Sequence, residues 1–160
     1  MELLQQSLDI ALKHSYHEHA ARAYTNLGHN GIMIKNFDFA TKFIEAGIQY
    51  CEERDLDSWT MYMLSSKARV KLETGNWDEA LKVADDLLKK EIQSPPIKIG
   101  ALLVAATIKM RKGDADVLPL LQEAKTKAVQ TMELQRIIPA LVALLEYEWI
   151  TGTQYLEKET

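Results

Sequence analysis

The sequence predicts an all-α protein assembled from a repeated pair of helices. Four segments of similar composition close successive pairs, at positions 34–38, 73–78, 111–116 and 150–153. Their equivalent residues are Lys35, Gly75, Gly113 and Gly152, which gives intervals of 40, 38 and 39 residues. Apolar residues between these turns recur at helical spacing, and no segment alternates convincingly in the manner of a strand. So regular a repeat predicts stacked helix pairs in which each repeat contacts only its neighbours.

Local signals place about eight helices in chain order. We expect them at 2–13, 17–34, 37–54, 58–73, 77–90, 95–112, 115–130 and 135–151. Gly75, Gly113 and Gly152 can adopt the left-handed conformation that closes a helix. Asn76 and Asp114, which follow the first two of these glycines, can cap the next helix by accepting its free N–H groups. Each turn therefore ends one helix and begins another.

The remaining helix starts carry weaker signals. Asp57 or Ser58 is expected to cap the fourth helix. Ser94 is expected to cap the sixth helix, and the two prolines that follow it suit the first turn. Pro139 lies near the start of the eighth helix, or kinks that helix if it lies deeper. The first helix of each pair carries a predicted core stripe: Tyr24, Leu27, Gly28 and Ile32; Leu64, Ala68 and Leu72; Leu102, Ala106 and Met110; Leu141, Leu145 and Trp149.

The composition limits the classes of protein to which the chain can belong. The 160 residues are 47% hydrophobic and 26% charged, with a net charge of −4, which argues against a phosphate-binding surface over the whole chain. The single cysteine, Cys51, cannot form an internal disulfide and therefore suits a reducing compartment. The sequence has no apolar run long enough for a membrane span and no signal peptide at its start. We therefore expect a cytoplasmic protein.

The sequence offers no recognisable arrangement of residues for catalysis. The densest group of potential ligands is His14, His17 and His19, but it falls at a predicted turn, and Ala21 stands where a further ligand would be needed. The sequence contains neither a phosphate-binding loop nor a Gly-x-Ser-x-Gly turn. Cys51 has no recognisable activating partner and is expected to be structural. We predict no enzyme activity, no bound metal and no cofactor.

Three segments carry a family resemblance. Residues 23–28 and 36–40 resemble the tetratricopeptide consensus in spacing and residue type, and residues 75–81 match the middle of that motif more closely. The resemblance implies a right-handed superhelix of antiparallel helix pairs, which covers residues 1–160 as a single domain. The repeat interval exceeds the usual 34 residues of that family. The sequence also departs from the consensus at three positions: Gly31, Lys67 and Lys71.

A narrower resemblance concerns residues 50–59, 72–80, 133–139 and 148–152. They are similar to the repeat region of large bacterial ATP-binding transcriptional regulators of the LuxR type. In that family the repeats form a sensor or scaffold between an ATPase module and a helix-turn-helix, which implies a role in signal transduction. The first helix resembles the second member of a pair, and residues 152–156 open a helix that stops at once. We therefore expect a fragment of a longer array, or a homodimer formed through an exposed end.

The tetratricopeptide resemblance also implies a binding site, because in that family the first helix of each pair lines a concave groove. The residues expected in this groove are Arg22, Asn26, His29, Tyr62, Ser66, Arg69, Glu73, Thr107, Arg111 and Glu146. Such side chains suit hydrogen bonds to an extended protein or peptide, which can belong to another domain of the same protein. We expect no direct contact with nucleic acid or membrane. Two alternatives stay open: a sensor domain that binds a small effector in the groove, and a groove that is merely solvated.

Overall fold

Eight α-helices are found in residues 2–91 and 94–155, which are the residues described by the computed structural model, and no strand occurs among them. The helices are α1 (Glu2–Lys13), α2 (His17–Met33), α3 (Phe37–Glu52), α4 (Asp57–Glu73), α5 (Trp77–Leu88), α6 (Pro95–Lys112), α7 (Leu118–Thr131) and α8 (Leu134–Thr151). The predicted all-α helical-repeat class is confirmed. The largest difference in a helix boundary is at α7, which begins at Leu118 instead of residue 115. Residue 156, expected in a further helix, lies outside the described residues.

The turns between helices share one backbone feature. The three glycines expected to be left-handed have φ angles of 82°, 84° and 70°, so that prediction is confirmed. Four other residues adopt the same conformation at equivalent places: Ser15, Lys35, Asp55 and Met132. Left-handed residues therefore recur every 19 or 20 positions from 15 to 75 and again from 113 to 152. The repeat of about 40 residues consists of two similar halves, each a helix and its closing turn.

Three of the expected helix caps are wrong: those of α4, α6 and α7. Neither Asp57 nor Ser58 caps α4, because the residue before the helix is Leu56 and no side chain completes its first turn. Asp114 lies too far ahead of α7 to cap it, since Val117 occupies the position before that helix. The side chain of Asn36, in contrast, accepts a hydrogen bond of 3.1 Å from the backbone N–H of Phe39 and caps α3.

The prolines of α6 and α8 lie in the first turn of the helix or just beyond it, where a missing N–H removes few helical hydrogen bonds. Two prolines stand in the first turn of α6, directly after Ser94, as the sequence predicts, although the Ser94 side chain makes no capping bond. Pro139 lies inside α8, five residues after its start at Leu134. It therefore falls just beyond the first turn, where only one helical hydrogen bond is lost. None of the helices in the described part of the chain is long and apolar enough to cross a membrane.

The described residues form two compact units, which divide between Val83 and Ala84 within α5. In the first unit α2 packs against α1, α3 and α4, and α3 packs against α4. In the second unit α6, α7 and α8 pack against one another. Each unit has its own apolar core, built around Leu27, Ile44 and Met63 in the first and around Leu102 and Leu121 in the second.

Small residues set the distance between α2 and α3. A Cβ atom on Gly31 would lie 2.8 Å from the backbone nitrogen of Ala40 and 2.9 Å from its Cα atom. Such a contact is too short for any side chain, and the opposing atoms are backbone that cannot turn aside. Gly31 departs from the tetratricopeptide consensus, and this close approach is the physical reason.

The predicted core stripe of α8 is wrong. Leu145 and Trp149, expected in the core, are 53% and 85% exposed. The face of α8 that is buried in the second unit carries smaller residues: Ala140, Ala143 and Leu144. Alanines let α8 approach α6 and α7 closely, whereas the sequence pattern favoured the larger side chains. α8 therefore has two apolar faces, and the bulkier one is exposed.

Candidate partner-binding surface

Three of the predicted groove residues share one exposed face of α2. Arg22, Asn26 and His29 follow each other at intervals of four and three residues, which places them along one side of the helix. All three side chains are exposed. The opposite side of the same helix carries core residues, including Ala23 and Leu27. Helical periodicity alone therefore separates the polar row of α2 from its packing face.

Four more predicted groove residues form a second row on α4. Tyr62, Ser66, Arg69 and Glu73 repeat the same spacing of four, three and four, and all four are partly buried. The hydroxyl of Ser66 donates a hydrogen bond of 3.3 Å to the backbone oxygen of Tyr62. The row is therefore more enclosed than the row on α2.

Contacts between α2 and α4 bring the two rows onto neighbouring helices. Near the start of both helices, the indole N–H of Trp59 donates a hydrogen bond to the carboxylate of Glu18. Near their ends, the ammonium of Lys35 lies 3.1 Å from a carboxylate oxygen of Glu73. These bonds fix the register of α4 against α2. We call the seven residues of the two rows the α2–α4 surface: Arg22, Asn26, His29, Tyr62, Ser66, Arg69 and Glu73.

Glu73 is the electrostatic centre of the α2–α4 surface. One of its carboxylate oxygens lies 2.8 Å from Nε and 2.6 Å from Nη2 of Arg69, while the other accepts the bond from Lys35. Partial burial acts to raise the pKa of Glu73, but Lys35 and Arg69 outweigh that effect and the pKa lies below its usual value. The carboxylate is therefore ionised at neutral pH and neutralises Arg69. An acidic partner that binds Arg69 would have to displace the Glu73 carboxylate.

The three predicted groove residues of the second unit are arranged differently. Arg111 on α6 binds Glu146 on α8 through two hydrogen bonds of 2.7 and 3.1 Å. A fork of this kind is the strongest geometry for a guanidinium and a carboxylate. Thr107 is buried, with 9% of its surface exposed, and so does not present its hydroxyl at the surface. In this unit Arg111 and Glu146 join α6 to α8.

The histidines near the start of α2 lie among aromatic rings. His14 stacks on Tyr16, whose ring also makes an edge contact with His19. Nδ1 of His17 lies 2.7 Å from the hydroxyl oxygen of Tyr50 on α3. Within the described part of the chain, no three histidine, cysteine, aspartate or glutamate side chains converge to hold a metal ion.

Cys51 is buried in the core of the first unit. Burial, assisted by the charge of Glu18, raises the pKa of its thiol to about 11. The thiol is therefore protonated at neutral pH, whereas a nucleophile requires the thiolate. This environment suits the structural role expected of it.

A depression that the sequence analysis missed opens beside α1. Its volume is about 440 Å³, and it is lined by Leu3, Gln6, Ser7, Ile10, Ala11, Tyr16 and His19. None of these residues belongs to the α2–α4 surface. The available signal was that Leu3 and Ile10, two large apolar residues of α1 seven positions apart, share one face of that helix.

Comparison with known proteins supplies a family. The family model described as cohesin loading factor matches residues 2–148. No curated protein and no solved structure matches the chain. The family match overturns both resemblances drawn from the sequence, to tetratricopeptide proteins and to LuxR-type regulators. The expected sensor of a bacterial transcriptional regulator, with its role in signal transduction, is therefore wrong. The expected protein-interaction role and protein partner agree with the family that matches.

Proposed function

The chain belongs to the cohesin loading factor family, and we propose that it serves cohesin loading by holding an extended segment of a protein partner on the α2–α4 surface. The observation that carries this proposal is the pair of polar rows on two helices whose register is fixed by bonds at both ends. In this proposal the chain binds a partner and does not catalyse a reaction. A protonated, buried Cys51 supports that view.

The dimensions of the surface suit an extended chain. Tyr62 and Glu73 lie eleven positions apart in α4, or about 16 Å along its axis. An extended peptide covers that length with about five residues. The rows offer hydrogen-bond donors and acceptors at each turn, which a peptide backbone can use in a sequence-tolerant way, while its side chains provide selectivity.

Charge points to Arg22 as the anchor for an acidic residue of the partner. Arg69 and Arg111 are each neutralised by a glutamate of the chain itself. Arg22 is exposed, and its guanidinium has no carboxylate partner among the described residues. Binding to Arg22 therefore requires no displacement of an existing ion pair. The partner segment is expected to be polar, with an acidic side chain directed at α2.

An array of overlapping peptides that covers the cohesin subunits tests this proposal. The peptide that binds best is then titrated by calorimetry against the chain and against the double variant Arg22→Ala, Asn26→Ala. We expect about tenfold weaker binding, because the variant removes a charge-assisted hydrogen bond and an amide pair. Its matched control is Lys42→Ala, Gln49→Ala, which removes an exposed cation and an exposed amide from α3. Equal losses in the two variants would move the binding site away from α2.

A further inference from the structure

The depression beside α1 and the polar row of α2 meet at one residue, His19. The imidazole of His19 lines the depression. His19 is exposed and lies three residues before Arg22 and seven before Asn26, so it shares their face of α2. The depression is therefore continuous with the α2–α4 surface.

The two rows of the α2–α4 surface lead toward the depression. The hydrogen bond between Trp59 and Glu18 places the starts of α2 and α4 side by side. Arg22 is the first residue of the row on α2, and Tyr62 is the first of the row on α4. Both rows therefore begin at the end of the surface that adjoins His19. A segment that follows the rows toward the starts of the two helices arrives at the depression.

The lining of the depression suits an apolar side chain of an acidic segment. Its apolar residues are exposed, at 79% for Leu3, 58% for Ile10 and 55% for Tyr16. Among the described residues that line it, the polar groups are an amide, hydroxyls and an imidazole, and none is a carboxylate. An acidic segment can therefore remove this apolar lining from water without meeting a like charge in the lining.

Contacts between aromatic rings support one wall of the depression. The ring of Tyr16 stacks on His14 with 5.6 Å between the ring centroids, and it makes an edge contact with His19 at 6.2 Å. Both Tyr16 and His19 line the depression. Its volume of about 440 Å³ exceeds the roughly 150 Å³ of an engineered cavity that binds benzene in another protein. An aromatic or large aliphatic side chain therefore fits.

The distance between the depression and Arg22 limits the length of chain that joins them. Along the axis of α2, His19 and Arg22 differ by about 4.5 Å. Across that axis, the depression is lined by α1, whose axis is expected to lie about 8–10 Å from that of α2 because the two helices pack together. An extended segment covers the combined distance with about two to four residues.

We propose that the partner segment held on the α2–α4 surface continues past Arg22 and places one large apolar side chain in the depression beside α1. The segment carries this apolar anchor about two to four residues from the acidic residue that binds Arg22. The acidic residue contributes a charge-assisted hydrogen bond, and the anchor contributes burial of apolar surface. This inference rests on the function proposed above and adds a second element by which the partner is recognised.

A double-mutant cycle tests the proposal, with the cohesin-subunit peptide that binds best in the array as the probe. Calorimetry measures its binding to the full chain and to Ile10→Lys, which places a cation in the depression. The titrations are repeated with peptides in which each large apolar residue in turn is replaced by alanine. We expect Ile10→Lys and one of these peptide replacements each to weaken binding about tenfold or more, as loss of a buried anchor does at other interfaces. The two changes together should weaken binding little more than either change alone.

The matched control is Ile150→Lys, which should bind the peptide like the unaltered chain. Ile150 is 48% exposed in the last turn of α8, as Ile10 is 58% exposed in the last turn of α1, and it does not line the depression. A cation is favourable in the last turn of a helix, so both variants should keep their fold, which circular dichroism and thermal melting verify. If Ile10→Lys does not, Ser7→Trp fills the depression from an exposed position of α1 and provides the same test.

The double variant Arg22→Ala, Asn26→Ala separates this inference from the function on which it rests. If that variant weakens binding and Ile10→Lys does not, the segment binds the α2–α4 surface, but its continuation into the depression is overturned. If neither weakens binding, the function proposed for the surface fails and this inference fails with it. A loss in Ile10→Lys alone would also overturn the continuous segment, because the depression would then bind the peptide by itself.

Discussion

Helices α2 and α4 of the first unit and helices α6 and α8 of the second unit occupy equivalent places in the repeat but are held together by different forces. Directional bonds join α2 to α4, through Trp59 and Glu18 at one end and Lys35 and Glu73 at the other. Apolar packing dominates α6, in which residues 101–108 are all buried. A forked ion pair between Arg111 and Glu146 joins α6 to α8.

The comparison shows that one repeated architecture can be stabilised in two ways. Polar bonds fix the register of α2 and α4 and leave a polar row that is exposed on α2 and partly buried on α4. Burial of aliphatic surface is non-directional and scales with area, so it stabilises α6 without offering a polar surface. α8 also carries exposed large apolar side chains, among them Leu145 and Trp149. The two units are therefore expected to respond differently to the same kind of substitution.

The largest effect is expected from a cavity in the second unit. Leu121 on α7 is fully buried among α6 and α8 residues. Leu121→Ala should lower the free energy of unfolding by about 2–5 kcal/mol, because apolar contacts are lost and a cavity remains. Chemical denaturation measures this, with Leu145→Ala as control, since Leu145 is 53% exposed. Similar losses in both variants would show that the apolar core is not what holds this unit.

A smaller effect is expected from overpacking in the first unit. Gly31→Ala should destabilise the chain by about 1–3 kcal/mol, because the new methyl group meets the backbone of Ala40. The control is Gly28→Ala, whose Cβ would lie 2.6 Å from a side-chain carbon of Ile44. A side chain can shift where a backbone cannot, and alanine favours a helix over glycine by about 1 kcal/mol. Thermal melting in which Gly28→Ala loses more than Gly31→Ala would contradict the assigned role of Gly31.

Most of the fold could be predicted from the sequence because its turns carry strong local signals. The glycine at position 75 indicates a left-handed residue by its type alone. Four other residues adopt the same conformation although their types do not predict it: Ser15, Lys35, Asp55 and Met132. The half-repeat of about 20 residues therefore could not be recognised from the sequence. The start of α7 was misplaced because Asp114 resembles a cap, whereas Pro119 in the first turn was the true marker.

Less of the candidate site could be predicted. Helical spacing predicted that the residues of each row share one face of α2 or of α4, and the spacing of Arg69 and Glu73 already indicated a pair within one helix. The pairing of Arg111 with Glu146 joins separate helices, and the burial of Thr107 depends on packing around α6, so neither follows from local pattern. The family was missed because turn spacing and helix pairs report architecture, which unrelated families share.

The smallest effect concerns the polar bonds themselves, and it depends on pH. Glu73→Gln should lower the free energy of unfolding by about 0.5–1 kcal/mol at pH 7, because ion pairs whose cations reach the solvent contribute little even when two cations share one carboxylate. The pKa of Glu73 lies below its usual value of 4.5 in the folded chain. The stability that it contributes is therefore present above pH 4.5 and disappears as the pH falls through the lowered pKa. The unfolding curves of the unaltered chain and of Glu73→Gln should therefore converge as the pH falls through the lowered pKa of Glu73.

Two further glutamates show whether this effect belongs to the α2–α4 contact. Glu52→Gln removes an exposed carboxylate from α3 and should change stability least. Glu146→Gln removes the partner of Arg111 and should cost less than Glu73→Gln, because Glu146 binds one cation and Glu73 binds two. A larger loss for Glu146→Gln would reverse the comparison, since α6 and α8 would then depend more on their ion pair than α2 and α4 do on theirs.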